Sequence, residues 1–512
     1  MTDLPRGWAE ATVGDLFMYV RGVTYSKADA TKNDDSDRLP VLRANNFNQV
    51  FDLSDLVFLP SEMVSEDQRL RAGDLLFAMS SGSKSHVGKC ILVKQKMNAG
   101  FGAFCGVLRP TDVAFSRLFN NAFQSKGFRN YIEELAAGTN INNLKRDMLL
   151  GYSIPVPPHN EQHRIVEKIE ALFDQIDKGV ESLQTARTTL GLYRQSLLKS
   201  AFEGHLTADW RAQNADKLEA PETLHTRIQQ ERDTRYKAAL AAWQGALATW
   251  RAGGEKGKTP RKPKKPKDFE SEPHDRLIIP SAWITAPLGG IAFEAVLGKM
   301  LDRQKNRGTP RPYLGNVNLR WGSFDVDTEK TMPIEDNEVL RYGIRAGDLV
   351  ICEGGEPGRC AVWQGDDDKV FIQKALHRVR FTNSYNAWFA FYFLKFATLS
   401  GLVDRHYTGS TIKHLTGKAL DEVLLPICSP AEQSEIVRIL DARLEAADAL
   451  ETEINAALTR ADALRQSILN KAFSGQLVPQ DPADEPAAAL LARIKAERAG
   501  ATKTARKRKA QA

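Results

Sequence analysis

Two stretches of the chain place apolar residues at alternating steps of four and three. In the first, Ile165, Ile169, Leu172, Ile176, Gly179, Leu183, Ala186, Leu190, Tyr193 and Leu197 form one narrow stripe. In the second, Ile436, Leu440, Arg443, Ala447, Leu450, Ile454, Ala457, Ala461, Leu464 and Ile468 do the same. This spacing predicts two coiled-coil helices. The proline-rich runs IPVPP and LPICSP keep the backbone extended ahead of each helix, and Gly204 and Gly475 fall where each should stop. About 45 residues at ~1.5 Å each make a rod of roughly 65 Å. Neither stripe is stable in water, and the simplest cover for one rod is the other.

Elsewhere the rhythm is shorter. Across residues 1–153, apolar runs such as PVLRANNF, DLLFAM and KCILV alternate with Gly and Ser clusters, which predicts a mostly β domain. A helical pattern returns near Phe115–Ala137. After Leu206, the stretch Glu222–Arg251 has a looser helical pattern through Leu224, Ile228, Leu240, Trp243, Leu247 and Trp250. The run KGKTPRKPKKPK (Lys256–Lys267) is broken by proline every third residue. It is expected to be a solvated linker, with a phosphate-contacting strap as the alternative.

The chain is duplicated. An offset of 271 residues carries Glu161-Gln162 onto Glu432-Gln433, Arg194-Gln195-Ser196 onto Arg465-Gln466-Ser467, and Ala201-Phe202 onto Ala472-Phe473. IPSAW echoes LPRGW, and Arg345–Leu349 repeats the RAGDL of Arg71–Leu75. GSTIKHL stands where GTNINNL stood, and LHTRIQQER after the first rod resembles LLARIKAER after the second. A globular–rod–globular–rod chain closes without a long return only if the rods run antiparallel. The expected fold class is α+β: two similar mixed α/β domains separated by two long antiparallel helices in a pseudo-two-fold monomer.

Composition narrows the chemistry. The 512 residues carry 70 Lys and Arg against 64 Asp and Glu, a net charge of +6 that permits a polyanionic partner without demanding one. The five cysteines form no CxxC pair, as expected of reduced thiols in a cytoplasmic protein. No apolar run is long enough to span a bilayer, so no membrane partner is expected. AGGEKGKT (Ala252–Thr259) lacks the first glycine of a phosphate loop, and Pro260 blocks the helix such a loop needs. Neither HExxH nor an Asp/Asn-Pro-Pro-aromatic methyltransferase motif is present. Asp366-Asp367-Asp368 could hold a cation but reads more simply as a turn. No covalent chemistry, metal or bound cofactor is expected of this chain.

Rigidly spaced twin domains suit a bipartite DNA target, and three polar sets are candidates for reading it. The first follows RAGDL: Ser81, Lys84, Ser85 and His86 in one copy, Glu353, Glu356 and Arg359 in the other. The second precedes each rod: Thr139, Asn140, Asn142, Asn143 and Lys145, then Ser410, Thr411, Lys413 and His414. The third is Arg43, Asn45 and Asn46, with Asn316, Asn318 and Arg320. For any single member, solvation or turn capping is the stronger expectation. The competing function is a coiled-coil scaffold whose two domains bind proteins and never touch DNA.

The duplicated P-x-x-x-x-x-EQ (Pro155–Gln162, Pro426–Gln433), the duplicated RQS…AF (Arg194–Phe202, Arg465–Phe473), GSTIKHL and the paired RAGDL resemble the specificity subunits of type I restriction-modification systems, in their enteric branch. The resemblance implies two target recognition domains at residues 1–153 and 277–424, and spacer helices at 154–206 and 425–477. It leaves a helical segment with a basic linker at 207–276, and a C-terminal helix with a basic tail at 478–512 that should be disordered. It further implies a non-catalytic subunit that binds double-stranded DNA, docks two modification (methyltransferase) subunits and meets restriction subunits through the complex. S-adenosylmethionine, ATP and Mg would then belong to those partners.

Overall fold

The computed structural model describes residues 4–48, 50–83, 86–110, 113–136, 143–255, 259–266, 270, 276–302, 304, 306–326 and 330–511. It divides into two units, Met1–Gln184 with Ile454–Ala512, and Thr185–Glu453.

In the first unit the strands are β1 (Ala9–Thr12), β2 (Phe17–Arg21), β3 (Arg38–Leu42), β4 (Val57–Pro60), β5 (Leu75–Ala78), β6 (Cys90–Leu92), β7 (Gly100–Phe101), β8 (Cys105–Pro110) and β9 (Ser153–Val156). They form a four-stranded sheet β2-β8-β5-β6, a three-stranded sheet β4-β3-β7 and the pair β1-β9. In the second unit they are β10 (Ile284–Pro287), β11 (Ala292–Leu297), β12 (Thr309–Leu314), β13 (Leu319–Arg320), β14 (Ser323–Phe324), β15 (Thr331–Ile334), β16 (Leu349–Cys352), β17 (Cys360–Val362), β18 (Phe371–Ile372), β19 (Leu376–Phe381) and β20 (Leu424–Ile427). The sheets repeat: β11-β19-β16-β17, β15-β12-β18 and β10-β20, with the small hairpin β13-β14 added. The parallel strand pairing recurs too, β3 with β7 and β12 with β18.

RAGDL is scaffold in both copies. Asp74 is buried and holds Arg109 through two hydrogen bonds of 2.8 Å, while its carboxylate also accepts from the Arg71 amide. Asp348 does the same with Arg380, at 2.6 Å twice, and with the Arg345 amide. The carboxylate thus ties the turn before the central strand to the strand beside it, and the glycine of each motif supplies the positive φ the turn requires (Gly73 +89°, Gly347 +86°). Asp366–Asp368 is likewise structural: Asp366 meets Lys369, Asp367 accepts from the Ala346 amide and Asp368 holds Arg345. Among the described residues no cluster has the makings of a metal site.

The rods are helices His159–Phe202 and Pro430–Phe473, each of 44 residues. Within the first unit the start of one lies along the end of the other: Ile165 and Ile169 share a core with Ile468, Leu469 and Ala472, and Arg465 pairs with Asp177. Within the second unit, Leu197, Leu198, Ala201 and Phe202 share a core with Ile436, Leu440 and Leu444, and Arg194 bridges Asp448 and Glu451 at 2.6 Å each. Partner numbers fall on one helix as they rise on the other, so the helices run antiparallel.

The seam departs from strict heptads. Leu450 and Leu464, expected on it, are 53% and 52% exposed, and Tyr193 is exposed too. The buried stripe passes instead through Leu444, where the heptad count had placed Arg443, while Glu451 and Arg465 are drawn partly inward to pair across the helices. A nearly straight helix with 3.6 residues per turn drifts by ~20° per heptad from a 3.5-residue stripe, so positions far from either end slide off it. Ile176 and Leu183 are half-buried, and Leu172 packs at the edge of the first core, whereas Leu190, Leu197, Ile436, Leu440, Ile454 and Ile468 are buried as expected.

The segments after each rod are matched elements. Helix Pro221–Ala252 buries Leu224 and Ile228 in the second unit's core, and its Arg232 donates to the Gly289 carbonyl of the one-turn helix Leu288–Ile291. Helix Ala487–Gln511 buries Leu490 and Ile494 in the first unit, and its Arg498 donates to the Gly14 and Asp15 carbonyls of the one-turn helix Val13–Leu16. Arg227–Glu219 and Arg493–Glu485 are corresponding ion pairs. The helical segment expected within 207–276 is the helix Pro221–Ala252, docked through its first half. The basic tail expected to be disordered continues as helix to Gln511, because nothing between Ala487 and that point interrupts it with proline. Gly204 and Gly475 end the rods at φ +74° and +71°, and there the backbone closes on Pro280 and Pro5, so that a Cβ would collide with either ring.

Candidate DNA-reading surface

In each unit the loop after the central strand lies beside the segment that precedes a rod. In the first, Ser80 bridges Asn143, the Leu144 amide donates to the Met79 carbonyl at 2.7 Å, and the Phe104 carbonyl accepts from both Met79 and Ser80. In the second, Gly354 bridges His414, the Leu415 amide donates to the Glu353 carbonyl at 2.7 Å, and the Ala375 carbonyl accepts from Glu353. The described members of two candidate sets, far apart in sequence, thus lie together in both copies. Lys84, Ser85, Thr139, Asn140 and Asn142 lie outside the described residues.

The second unit shows this surface in full. Thr408 and His414 exchange two backbone hydrogen bonds of 2.8 Å, closing a hairpin that Gly409 turns at φ +92°. Ser410, Thr411, Lys413 and His414 are exposed on it, with Ile412 63% exposed at the tip. The Lys413 ammonium sits over the Tyr407 ring at 5.5 Å, and the Tyr407 hydroxyl donates to the Pro357 carbonyl, so hairpin and loop brace each other. The third set joins here as well, since Asn316 Nδ2 donates to the Gly354 carbonyl at 2.7 Å.

Several candidates are occupied inside the fold. Arg359 donates to Glu356 at 2.6 Å and to the Asn316 carbonyl at 2.9 Å, and Glu356 also accepts from Trp321 Nε1. Asn46 and Asn318 are buried staples: each accepts from an amide three residues back (Arg43, Gly315) and donates to a carbonyl ahead (Asp52, Asp325). Arg43 is held by Asp55. Such polar side chains bind their own loops because leaving a buried backbone group unpaired costs more than giving up a hydrogen bond at the surface. Asn45, Asn143, Lys145 and Arg320 remain exposed, although Arg320 also donates to the Val317 carbonyl at 2.7 Å. Ser81, His86, Glu353 and Asn316 are half-buried. Reading for polar groups passed over Phe104 (70% exposed, beside Ser80), Val317 (63%) and Ile412. A large apolar residue in a glycine-rich turn such as GFGAFCG was the available signal for Phe104.

His377 anchors the hairpin from below. It is buried, and its Nε2 meets the Leu415 carbonyl at 2.9 Å. Burial pushes its pKa below the ordinary value of 6.5, against smaller opposing effects of the Leu415 carbonyl and Glu353. The folded state therefore prefers the neutral ring. Its contribution to stability is present above the unfolded value and is lost as pH falls from there toward the depressed folded value, by up to ~1.4 kcal/mol per pH unit. Urea titrations at pH 7 and 5.5 should show a larger loss for the natural chain than for His377→Asn. Equal losses would show that His377 does not set this pH dependence.

The five cysteines are free and buried, with the Cys105 thiol pushed up to about 12 by burial. No described helix is long and apolar enough to cross a membrane.

The family model for "Type I restriction modification DNA specificity domain" matches residues 5–183 and 337–460. The chain is 30% identical over 522 residues to the type I restriction enzyme EcoKI specificity subunit of Escherichia coli (strain K12), covering 99% of each chain. It is 31% identical over 531 residues to the StySPI specificity subunit of Salmonella potsdam, again covering 99% of each. A chain solved in work on the assembly and conformational transition of the type I R-M system superposes with a TM-score of 0.63 at 16% identity, over 93% of this chain and 100% of that one.

Proposed function

The chain belongs to the type I restriction-modification DNA specificity family, as a non-catalytic specificity subunit, and from that premise we propose that each unit reads one half of an interrupted duplex target through its loop-and-hairpin surface. The observation that carries this reading is the pairing of the loop after RAGDL with the segment before the rod, repeated in both units on one scaffold with different side chains. Repeated scaffold with divergent exposed groups is what two unlike half-sites require. Ser410, Thr411, Lys413 and His414 supply donors for base edges and phosphates, and Ile412 and Phe104 offer apolar contact to thymine methyls. The long helices are the docking surface for two modification subunits, which bring S-adenosylmethionine. Restriction subunits, with ATP and Mg, join through the complex, and the assembly is cytoplasmic.

Chain co-purified with its modification partner should protect one interrupted duplex against nuclease at moderate salt, in the presence of scrambled competitor. Equal protection of every duplex would favour the protein-binding scaffold instead. Within that complex, Lys413→Ala should weaken specific binding by ~5- to 50-fold, the range for one exposed charged contact, while urea unfolding stays unchanged. Unaltered affinity would move the reading surface off the hairpin.

A further inference from the structure

We propose that the strap Pro260–Pro266 is a second, sequence-independent DNA contact that grips the phosphate backbone. This rests on the chain's being a DNA-reading subunit but uses none of the residues assigned to reading.

The strap has prolines at 260, 263 and 266, with Arg261, Lys262, Lys264 and Lys265 between them. Proline fixes φ near the polyproline II value, and that helix has three residues per turn. A proline every third residue therefore falls along one edge, leaving both other edges to cations. The burial pattern agrees: Pro263 and Pro266 are half-buried, and all four cations are exposed. The strap is also pinned, since Trp243 Nε1, on the helix Pro221–Ala252, donates to the Pro260 carbonyl at 2.9 Å and the Lys262 ammonium lies over the Trp243 ring at 5.7 Å.

This explains the outer half of that helix. Beyond Arg232 it leaves the core, and Leu240, Trp243, Leu247 and Trp250 are only half-buried. A surface tryptophan with a satisfied indole N–H and a cation above it serves here to hold the strap. Between Lys237 and Pro266 the described residues include six cations (Lys237, Arg251, Arg261, Lys262, Lys264, Lys265) and one carboxylate, Glu255. None of the four strap cations forms an ion pair among the described residues. Many other cations of the chain are neutralised locally, as at Arg194–Glu451 and Arg227–Glu219, and the strap is set apart by carrying four unpaired cations within five residues. Four unneutralised cations held in an extended, low-entropy form suit a regular polyanion. Duplex DNA is favoured over an acidic protein because the strap offers no apolar patch or pocket of its own, only charge at even spacing.

The test is the salt dependence of binding to a labelled random-sequence 40-base-pair duplex by the full chain. Neutralising all four cations (R261Q/K262Q/K264Q/K265Q) should lower the slope of log affinity against log salt by ~2 to 4, at about 0.9 for each phosphate no longer neutralised. A control removing equal charge from the long helices (K168Q/K178Q/K199Q/K471Q) should leave the slope unchanged, and circular dichroism checks that both fold. A slope identical to that of the natural chain, an equal fall in the control, or no duplex binding by the natural chain even at low salt would each overturn the proposal. So would an intact slope with impaired assembly onto modification subunits, which would assign the strap to a protein. Natural chain that binds the random duplex through the strap yet prefers no sequence would instead sink the reading of half-sites and leave the strap standing.

Discussion

Glu432→Ala should destabilise the second unit by ~3 to 5 kcal/mol, and Glu161→Gln should cost the first unit ~1 kcal/mol or less. The two glutamates are counterparts. Each stands in the first turn of a long helix, is 1% exposed and accepts a hydrogen bond of 3.0 Å from a tryptophan, Trp8 or Trp283. Their second oxygens differ. Glu432 Oε1 accepts from Thr207 Oγ1 and from Arg211 Nε, both at 2.8 Å, so the carboxylate joins the chain entering the domain, the start of one rod and the exit of the other. Removing it strands a largely buried guanidinium, an indole N–H and a hydroxyl together. Among the described residues Glu161 Oε1 has no hydrogen-bond partner, and burial pushes that carboxyl above its usual range despite Trp8 and the nearby Arg164. A neutral amide of the same shape is then nearly as good, provided its oxygen faces Trp8. Chemical denaturation of both variants, with separate probes for the two units, gives the comparison. Equal costs would mean that the Arg211 contact contributes nothing to the difference.

The asymmetry marks where sequence and structure part. Glu-Gln at the start of each rod was legible as a duplicated motif, and in both copies Gln Nε2 closes back on the carbonyl five residues earlier, Pro157 or Cys428. Antiparallel rods followed from chain connectivity alone. The sheets were visible only as runs such as DLLFAM, because their order depends on pairings between strands distant in sequence, such as β2 with β8. Helix Ala387–Leu399 was missed: apart from Lys395 and Thr398 its residues are apolar or aromatic on every side, and eight of the 13 are buried, so no amphipathic rhythm announces it. Leu450 and Leu464 misled because a heptad count accumulates drift, whereas burial is decided locally.

The candidate surface was less legible than the fold. Asn46 and Asn318 have the residue types of base readers, and only their burial shows that they staple a turn. The polar sets before each rod and after RAGDL were found separately. Their adjacency rests on the backbone bridges Ser80–Asn143 and Gly354–His414, which no sequence pattern encodes. The likeness of LHTRIQQER to LLARIKAER carries more structure than its length suggests, since the last arginine of each donates to an equivalent carbonyl.

Replacing residues 17–145 with the equivalent stretch of another specificity subunit should change one half of the preferred duplex and leave the other intact. These boundaries follow from the packing. Pro5, Trp8 and the one-turn helix Val13–Leu16 contact Gly475, Glu161 and Arg498, so a graft that included them would have to reproduce three contacts at once. Starting at β2 keeps these three contacts with rod and tail, and ending at Lys145 keeps the helix Arg146–Leu150, whose Leu150 carbonyl lies 3.3 Å from where a Cβ on Gly14 would stand. The foreign stretch must still meet Glu170 and Gln466 of the long helices, as Arg117 and Lys126 do. Each mismatched base pair typically costs ~1 to 3 kcal/mol, so three altered positions should weaken binding to the original duplex by ~10²- to 10⁶-fold. Selection from a randomised duplex library by the natural and grafted complexes reads the result directly. A grafted complex that folds, assembles and selects the original sequence would place the reading surface outside residues 17–145. Changes in both halves would show that the units do not read independently.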